Sequence, residues 1–243
     1  MIEFTGEQFV PGVSSKRMRD DHLQRYKFAS RFVSGKDVLD VACGAGYGSV
    51  FLKEYGGAKS VLGVDISSDV VKSAIEKYKR DGVDFTVGDL ANFNPTRKFD
   101  TIVSFETIEH VHDYKSALSN LYKLLNDGGN LIISTPNRPV TSPYARTLSD
   151  KPRNPYHVRE FAVSEIVSAL RGVGFEVSSH NIYGQRQQYV FKNRVINRIY
   201  KKIFKPDIRS SPKVELLTNE PRFIVIVATK SGGLAHNQKL QSS

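Results

Sequence analysis

The stretch FETIEHVHD, residues 105–113, carries Glu106, Glu109 and His110 close together. A helix beginning near Glu106 would set them at i, i+3 and i+4, on one helical face. Such a face can ligate a divalent metal ion, or it can be a solvated helix start whose acids complement the helix dipole. A fourth candidate ligand, His157, sits in a predicted loop within NPYHVREF, residues 154–161. Two carboxylates with two imidazoles suit a hard-to-borderline ion such as Mg²⁺, Mn²⁺, Fe²⁺ or Zn²⁺. An ion beside an alcohol lowers its pKa and fixes it in place, which turns a poor nucleophile into a usable one. Glu106, His110 and His157 are therefore candidate catalytic residues as well as ligands. His112 is a further candidate base, or a cap on the loop before Asp113.

The elements that must position these residues show as short branched apolar runs: DVLDVA (37–42), SVLGVDI (60–66), VDFTV (83–87), FDTIVSF (99–105), NLIISTP (130–136), FEVSSH (175–180) and RFIVIVA (222–228). Stretches of helical spacing lie between them, at 69–79, 114–125 and 163–170. Alternation of this kind predicts βαβ units and a mostly parallel sheet covered on both faces. A long basic stretch, rather than a compact crossover helix, precedes the last run, so an antiparallel final strand is expected. Open sheets of this kind bind ligands beyond the carboxyl ends of their strands.

The first run ends in Cys43-Gly44-Ala45-Gly46-Tyr47-Gly48, a loop whose glycines let the backbone turn and approach a ligand above a helix N-terminus. The second ends in Asp65, about 20 residues on, the spacing of a carboxylate that accepts hydrogen bonds from a ribose diol. The third is followed by Gly88-Asp89-Leu90. Each Asp alone reads equally well as a helix cap or turn residue. Together the three strand ends predict a ribose-bearing ligand. Ser49 stands where a third glycine of G-x-G-x-x-G would fall, which argues against a nicotinamide dehydrogenase.

A chain of 243 residues, 40% hydrophobic and 25% charged, has the composition of an ordinary globular domain. The single cysteine, Cys43, excludes an internal disulfide and a thiolate metal cluster. Neither a membrane-spanning run nor a signal-peptide core is evident, so the expected address is the cytoplasm, with peripheral attachment at a membrane as the variant. The net charge of +10 favours anionic partners: nucleic acid, a membrane surface, or an acidic or phosphorylated substrate.

VLDVACGAGYGS, VLGVDIS, VGDL, FDTIVSFETIEHV and LLNDGGNLIISTPN, in this order, resemble the motif series of class I S-adenosylmethionine-dependent methyltransferases. The resemblance covers residues 36–177 and the last strand. It implies a Rossmann-like α/β fold with a seven-stranded sheet, the last strand antiparallel, and helices on both faces. It also implies that Gly44 and Gly46 line the methionine part of S-adenosylmethionine and that Asp40 faces its amino group. Asp65 would hold the ribose hydroxyls, Asp89 and Leu90 would frame the adenine, and Ile66 and Phe105 are counted among the cofactor contacts. The E-x-x-E-H pattern with a later His is similar to the metal sites of small-RNA 3′-terminal ribose 2′-O-methyltransferases and to ubiquinone-pathway O-methyltransferases.

A second resemblance adds FTGEQFVPG (4–12), HLQRYKFA (22–29) and STPNRP with NPYHVREF, which look like methyltransferases of bacterial cell-surface polysaccharide synthesis. It implies a sugar or glycan acceptor, with Arg25 or Tyr26 touching the cofactor carboxylate and Phe9 helping to close a lid. Phe28 and Phe32 read as packing for a covering helix. An RNA ribose, and a non-catalytic cofactor-binding role, are the competing functions.

The expected organisation is an arm and covering helix at 1–34, a methyltransferase domain at 35–230 with a basic helical insert at about 186–216, and a disordered tail at 231–243. From Arg186 to Glu215 the insert holds nine Lys or Arg against Asp207 and Glu215, a net +7. Val190, Phe191, Val195, Ile196, Ile199, Ile203 and Phe204 recur near helical spacing before Pro206. Such a helix either packs its apolar side on the domain or on a second copy, or it holds an anionic membrane or RNA.

Overall fold

Both faces of the central sheet are covered, and its inner strands are largely apolar where they pass between the two core layers. The computed structural model describes residues 16–191, 193–205 and 211–232. FTGEQFVPG, Phe9, Pro206 and most of the C-terminal tail lie outside the described residues. The strands are β1 (Asp37–Val41), β2 (Ser60–Asp65), β3 (Val83–Val87), β4 (Phe99–Phe105), β5 (Leu125–Pro136), β6 (Phe175–Glu176), β7 (Ile182–Gln185), β8 (Val214–Leu216) and β9 (Phe223–Lys230). Their order is β3-β2-β1-β4-β5-β9-β7-β8, with β6 also paired to β9. The first five are mutually parallel, and β9 runs antiparallel to β5 from Asn130↔Thr229 to Pro136↔Phe223, as expected for the last strand.

Among the described residues the sheet has nine strands where seven were expected. Only Phe175–Glu176 of FEVSSH is extended; the chain then turns through Ser179–Asn181 and resumes as β7. Both pieces pair with β9, at opposite ends of it, so they are one neighbouring strand interrupted. The interruption is polar in origin: the Ser178 hydroxyl accepts the His180 N–H and competes with the ladder. β8 adds a short outer strand from within the basic insert, where only helix was expected.

The helices are α1 (Lys16–Ala29), α2 (Tyr47–Glu54), α3 (Ser68–Tyr78), α4 (Tyr114–Leu124), α5 (Arg138–Thr141), α6 (Val163–Val173) and α7 (Arg194–Phe204). Side-chain oxygens satisfy orphan amides at several starts. Ser67 accepts from Val70, Asp113 from Ser116, and Glu165 from Ala162. One core layer joins Leu39, Ile102, Leu131 and Ile226 to Leu121 of α4 and Ile166 and Leu170 of α6. The opposite layer joins Val38, Val103, Ile132 and Val225 to Tyr26, Phe28 and Ala29 of α1 and Leu52 of α2. Phe28 is buried and Phe32 packs against this layer, so α1 is the covering helix the sequence implied. α7 departs from the packed reading, because its aliphatic residues face outward.

α1 and α2 meet with no room to spare, since a Cβ on Gly48 would fall 1.9 Å from Cζ of Tyr26. Gly48→Ala should therefore destabilise the fold by about 1–3 kcal/mol. The thermal midpoint should drop about 2–4 °C for each kcal/mol lost. An unchanged midpoint would show that the two helices are not packed this closely.

Candidate active site

The carboxyl ends of β1, β2 and β3 gather the first group of predicted residues. Gly46 takes φ 84°, and a Cβ there would stand 2.8 Å from the Phe85 ring, so both conformation and space demand glycine. Gly44, at φ 53°, has open space beside it, as a backbone cradle for a ligand requires. No side chain caps α2 at Gly46, which leaves the helix's first amides to a ligand or to solvent. Asp65 is buried, and its carboxylate accepts the Gly44 N–H at 2.9 Å and the Ser67 N–H at 3.0 Å. It therefore orders the glycine loop and the start of α3. Ile66, next to it, is 70% exposed. The Asp89 carboxylate accepts the Ala91 N–H, while the Leu90 side chain belongs to the core, so only Asp89 of that pair presents its side chain at the surface.

Asp40 is fully enclosed. It accepts hydrogen bonds from Ser49 Oγ at 2.7 Å and from the Tyr26 hydroxyl at 3.2 and 3.3 Å. Burial pushes its carboxyl up to about 7, against the pull of these two donors. Phe105 is also buried and meets Tyr26 edge-on at 5.2 Å, so it acts as a wall behind Tyr26.

A second space, a cavity of about 1040 Å³, opens beside this region. Glu106, Glu109, His110, His157 and Glu160 line it, with Arg25 and His22 of α1, and Lys201 and Lys205 at α7. The helix expected from Glu106 does not form there. Glu106 adopts φ 50°, and a short 3-10 turn covers Ile108–His110 instead. Glu106 contributes no atom to the cluster that the other three ligand candidates form. Its Oε1 accepts from Ser134 Oγ at 2.7 Å and lies 3.9 Å from Arg25 Nη1. Glu106 thus drops out of the expected four-residue ligand set.

The other three converge, with one ligand atom from each of Glu109, His110 and His157 within 4.8 Å of the other two. Glu109 is fully buried; its Oε2 accepts from Thr135 Oγ1, and its Oε1 has no partner among the described residues. Burial, reinforced by the nearby Glu106 charge, raises its carboxyl well above the usual range. The imidazoles meet edge-on at 5.0 Å. His110 Nδ1 faces the Tyr156 carbonyl at 3.1 Å, and His157 Nδ1 faces Glu160 Oε1 at 2.8 Å. Both contacts favour a proton on Nδ1, which leaves Nε2 as the lone-pair nitrogen, the arrangement seen in metal-ligating histidines. Asn154 Nδ2 lies 2.9 Å from His157 Nε2. Burial alone would raise Glu160, but hydrogen bonds from His157 and Thr141 outweigh it and hold this carboxyl low.

Arg25, expected at the cofactor carboxylate, makes its described contacts on the wall of the large cavity. It donates to Gln185 Oε1 at 2.8 Å and lies over the Phe223 ring, on the wall of the large cavity. His112 is exposed, offers its carbonyl to Arg159, and lies outside the cavity lining among the described residues.

The profile of the methyltransferase-domain family matches residues 15–180. The chain belongs to this family. A probable S-adenosylmethionine-dependent methyltransferase of Mycolicibacterium smegmatis is 34% identical over 179 residues, 72% of this chain and 66% of that protein. The mitochondrial ubiquinone biosynthesis O-methyltransferase of Candida albicans is 33% identical over 145 residues, 57% of this chain and 43% of that protein. The chain thus spans less than two thirds of the length of these relatives. The N-methyltransferase NodS of Bradyrhizobium japonicum, solved with S-adenosyl-L-homocysteine, shares the fold at a TM-score of 0.57. It is 17% identical, over 89% of this chain and 88% of that one.

Several residues of this methyltransferase domain were not singled out in the sequence. Ser134 and Thr135 hold Glu106 and Glu109 from β5, and Glu160 orients His157. The His157-x-x-Glu160 spacing was the one visible signal among them. Arg138 makes a two-pronged contact with Glu165, at 2.7 and 2.8 Å, and so pins the α5–α6 segment that carries His157.

Asp65→Ala should weaken S-adenosylhomocysteine binding by about 10–100-fold, the worth of lost charge-assisted hydrogen bonds. Calorimetric titration measures this, and equal affinity in the variant would remove Asp65 from the cofactor site. Asp40 generates a pH prediction. Its folded pKa lies above its unfolded value near 4, so the folded state binds the extra proton. Stability should fall as pH rises from about 4 to about 7 and then level off. The midpoint of Asp40→Asn minus that of the wild type should grow over the same window, and a difference independent of pH would place the Asp40 pKa elsewhere.

Proposed function

We propose that this methyltransferase carries the methyl group of S-adenosylmethionine to a hydroxyl oxygen of a sugar or glycan, with a divalent ion held by Glu109, His110 and His157. The observation that carries the reading is the buried, unpartnered Oε1 of Glu109, which faces two imidazoles at the edge of a cavity large enough for a sugar. Burial drives this carboxyl toward its protonated form, a cation would compensate the charge of the ionised form, and this donor set suits one. One carboxylate and two imidazoles fit Mn²⁺, Fe²⁺ or Zn²⁺ better than Mg²⁺. When bound, the ion would lower the pKa of an acceptor hydroxyl and supply charge beside it.

The rest of the chemistry falls to the chain. The acceptor oxygen forms its bond to the methyl carbon as the carbon–sulfur bond breaks, and the cofactor leaves as a neutral thioether. One hydroxyl proton must be taken up. Glu106, outside the ligand set and on the cavity wall beside Arg25, is assigned that role. Its left-handed backbone is the kind of strain that persists at functional positions. Glu160 and the Tyr156 carbonyl hold the two imidazoles in one tautomer, and Arg25 steadies Glu106.

The polysaccharide resemblance supports a sugar acceptor. A ubiquinone-type small molecule is the second reading, favoured by the Candida relative, and an RNA ribose the third, favoured by the local basic charge. Incubating cell extract with methyl-labelled cofactor and separating lipid, glycan, RNA and small molecules tests the acceptor. Label in the glycan or lipid-linked glycan fraction is expected, and label confined to RNA or small molecules would overturn the sugar reading. For the metal, Glu109→Gln and chelation should each lower turnover about 100-fold or more. Binding of S-adenosylhomocysteine should persist. Added Mn²⁺ or Zn²⁺ should restore the chelated wild type but not the variant. Full activity in chelator, together with no anomalous scattering at these three residues, would remove the ion.

A further inference from the structure

α7 inverts the usual arrangement of a surface helix. Val195, Ile196, Ile199 and Ile203 are 65%, 49%, 51% and 61% exposed, so its aliphatic row faces away from the domain. At about 100° per residue these four fall within one narrow stripe. Tyr200 and Phe204 lie beside the stripe and turn to an aromatic cradle. Phe191 meets Tyr200 at 5.3 Å, and Tyr200 meets Phe204 at 4.9 Å. On the other flank lie the exposed Lys202 and Arg198, while Lys201 and Lys205 line the large cavity. Asn193 caps the helix through the Val195 and Ile196 amides, so its start is fixed within the fold.

We infer that α7 is an interfacial helix that seats the protein on an anionic lipid bilayer and sets the mouth of the cavity against the headgroups. An aliphatic stripe flanked by Lys and Arg is the pattern of a helix lying in the membrane plane, with apolar side chains in the acyl boundary and cations among anionic headgroups. No helix among the described residues is long and apolar enough to cross a membrane, so attachment through α7 lies on the surface. A second copy fits poorly. Eleven residues make a helix about 16 Å long and about 10 Å wide, whose one face of roughly 160 Å² is far short of the roughly 800 Å² per partner that a stable dimer buries, and pairing would oppose two sets of lysines and arginines. RNA accounts less well for the stripe, because bases stacked on the aromatic rings and guanidinium groups beside it would leave the valine and isoleucine row uncovered. Since Lys201 of this helix and Lys205 at its C-terminal cap both line the cavity wall, a docked α7 would present the cavity to an acceptor carried on a lipid. That last step rests on the proposed glycan methylation, and the docking itself does not.

Sedimentation of the full chain with vesicles tests the docking without any methyl acceptor. Binding is expected to phosphatidylcholine vesicles containing phosphatidylglycerol, not to phosphatidylcholine alone, and it should weaken as salt rises. Ile199→Glu with Ile203→Glu should lower partitioning about tenfold or more. The thermal midpoint and S-adenosylhomocysteine affinity should stay unchanged. Arg198→Gln with Lys202→Gln, which leaves the stripe intact, should reduce binding and flatten its salt dependence. Indifference of the wild type to anionic vesicles at low salt would overturn the inference. So would full binding by the Glu pair, or a wild-type dimer that ignores vesicles and is split by the Glu pair. Retention by RNA in place of vesicles would overturn it too. A protein that methylates a soluble sugar yet ignores vesicles would keep its function and lose this surface.

Discussion

The wall of the large cavity is organised by the burial of one glutamate. Glu109 stands just past β4, where water cannot reach its carboxylate, and the surrounding chain is arranged to hold it. Its main-chain carbonyl accepts both the Val158 and Arg159 amides, which docks the 154–161 loop on the sheet edge. Its side chain takes a hydrogen bond from Thr135 of β5. Docking the loop brings His157 beside His110, and Glu160 then turns the His157 ring. Three segments far apart in sequence are thus fixed by contacts that begin at one residue. A carboxyl so placed is driven toward its protonated form unless its charge is compensated. Glu106 finds Ser134 and Arg25, and Glu160 finds His157 and Thr141. Among the described residues, Glu109 alone keeps a carboxylate oxygen that is buried and unanswered.

Much of this was legible in the sequence, for a physical reason. Strands covered on both faces must be apolar throughout, so six of the seven branched runs matched strands to within a few residues. Tight turns under a ligand leave glycines at fixed places, and Gly44 and Gly46 stand where the loop needs them. The misreadings share a cause: each depended on a competing local hydrogen bond or on a backbone choice. FEVSSH lost its second half to the Ser178 cap. FETIEHVHD has the spacing of a helical face, yet Glu106 turns left-handed and only a single 3-10 turn follows. Residue spacing still brought out Glu109, His110 and His157 as ligand candidates, because loop docking reunited what the missing helix would have aligned. The supporting hydroxyls of Ser134 and Thr135 carried no such signal, since serine and threonine are ordinary residues at a strand end.

The direction of the α7 stripe was not legible either. Helical spacing shows that apolar residues share a face but not which way the face points. The aromatic contacts show it. Tyr200 meets Tyr189 and Phe191, Phe204 meets Tyr200, and the aliphatic row lies on the other side of this aromatic flank, exposed. The basic character of the whole chain is concentrated here, so charge and exposed apolar surface coincide at one edge of the acceptor cavity.

α1 joins the two halves of the site through consecutive residues. Tyr26 reaches back to the buried Asp40 at the end of β1, beneath the glycine loop, while Arg25 faces the acceptor cavity, bonded to Gln185 of β7 and near Glu106. Neighbouring side chains on a helix point about 100° apart, so one short segment can serve both spaces at once. The coupling has a physical consequence. If α1 lifts from the sheet, Asp40 loses a hydroxyl donor in a setting where its charge is already disfavoured, and Glu106 loses its guanidinium neighbour in the same movement. Cofactor-side electrostatics and the setting of the proposed proton acceptor therefore depend on one docking event.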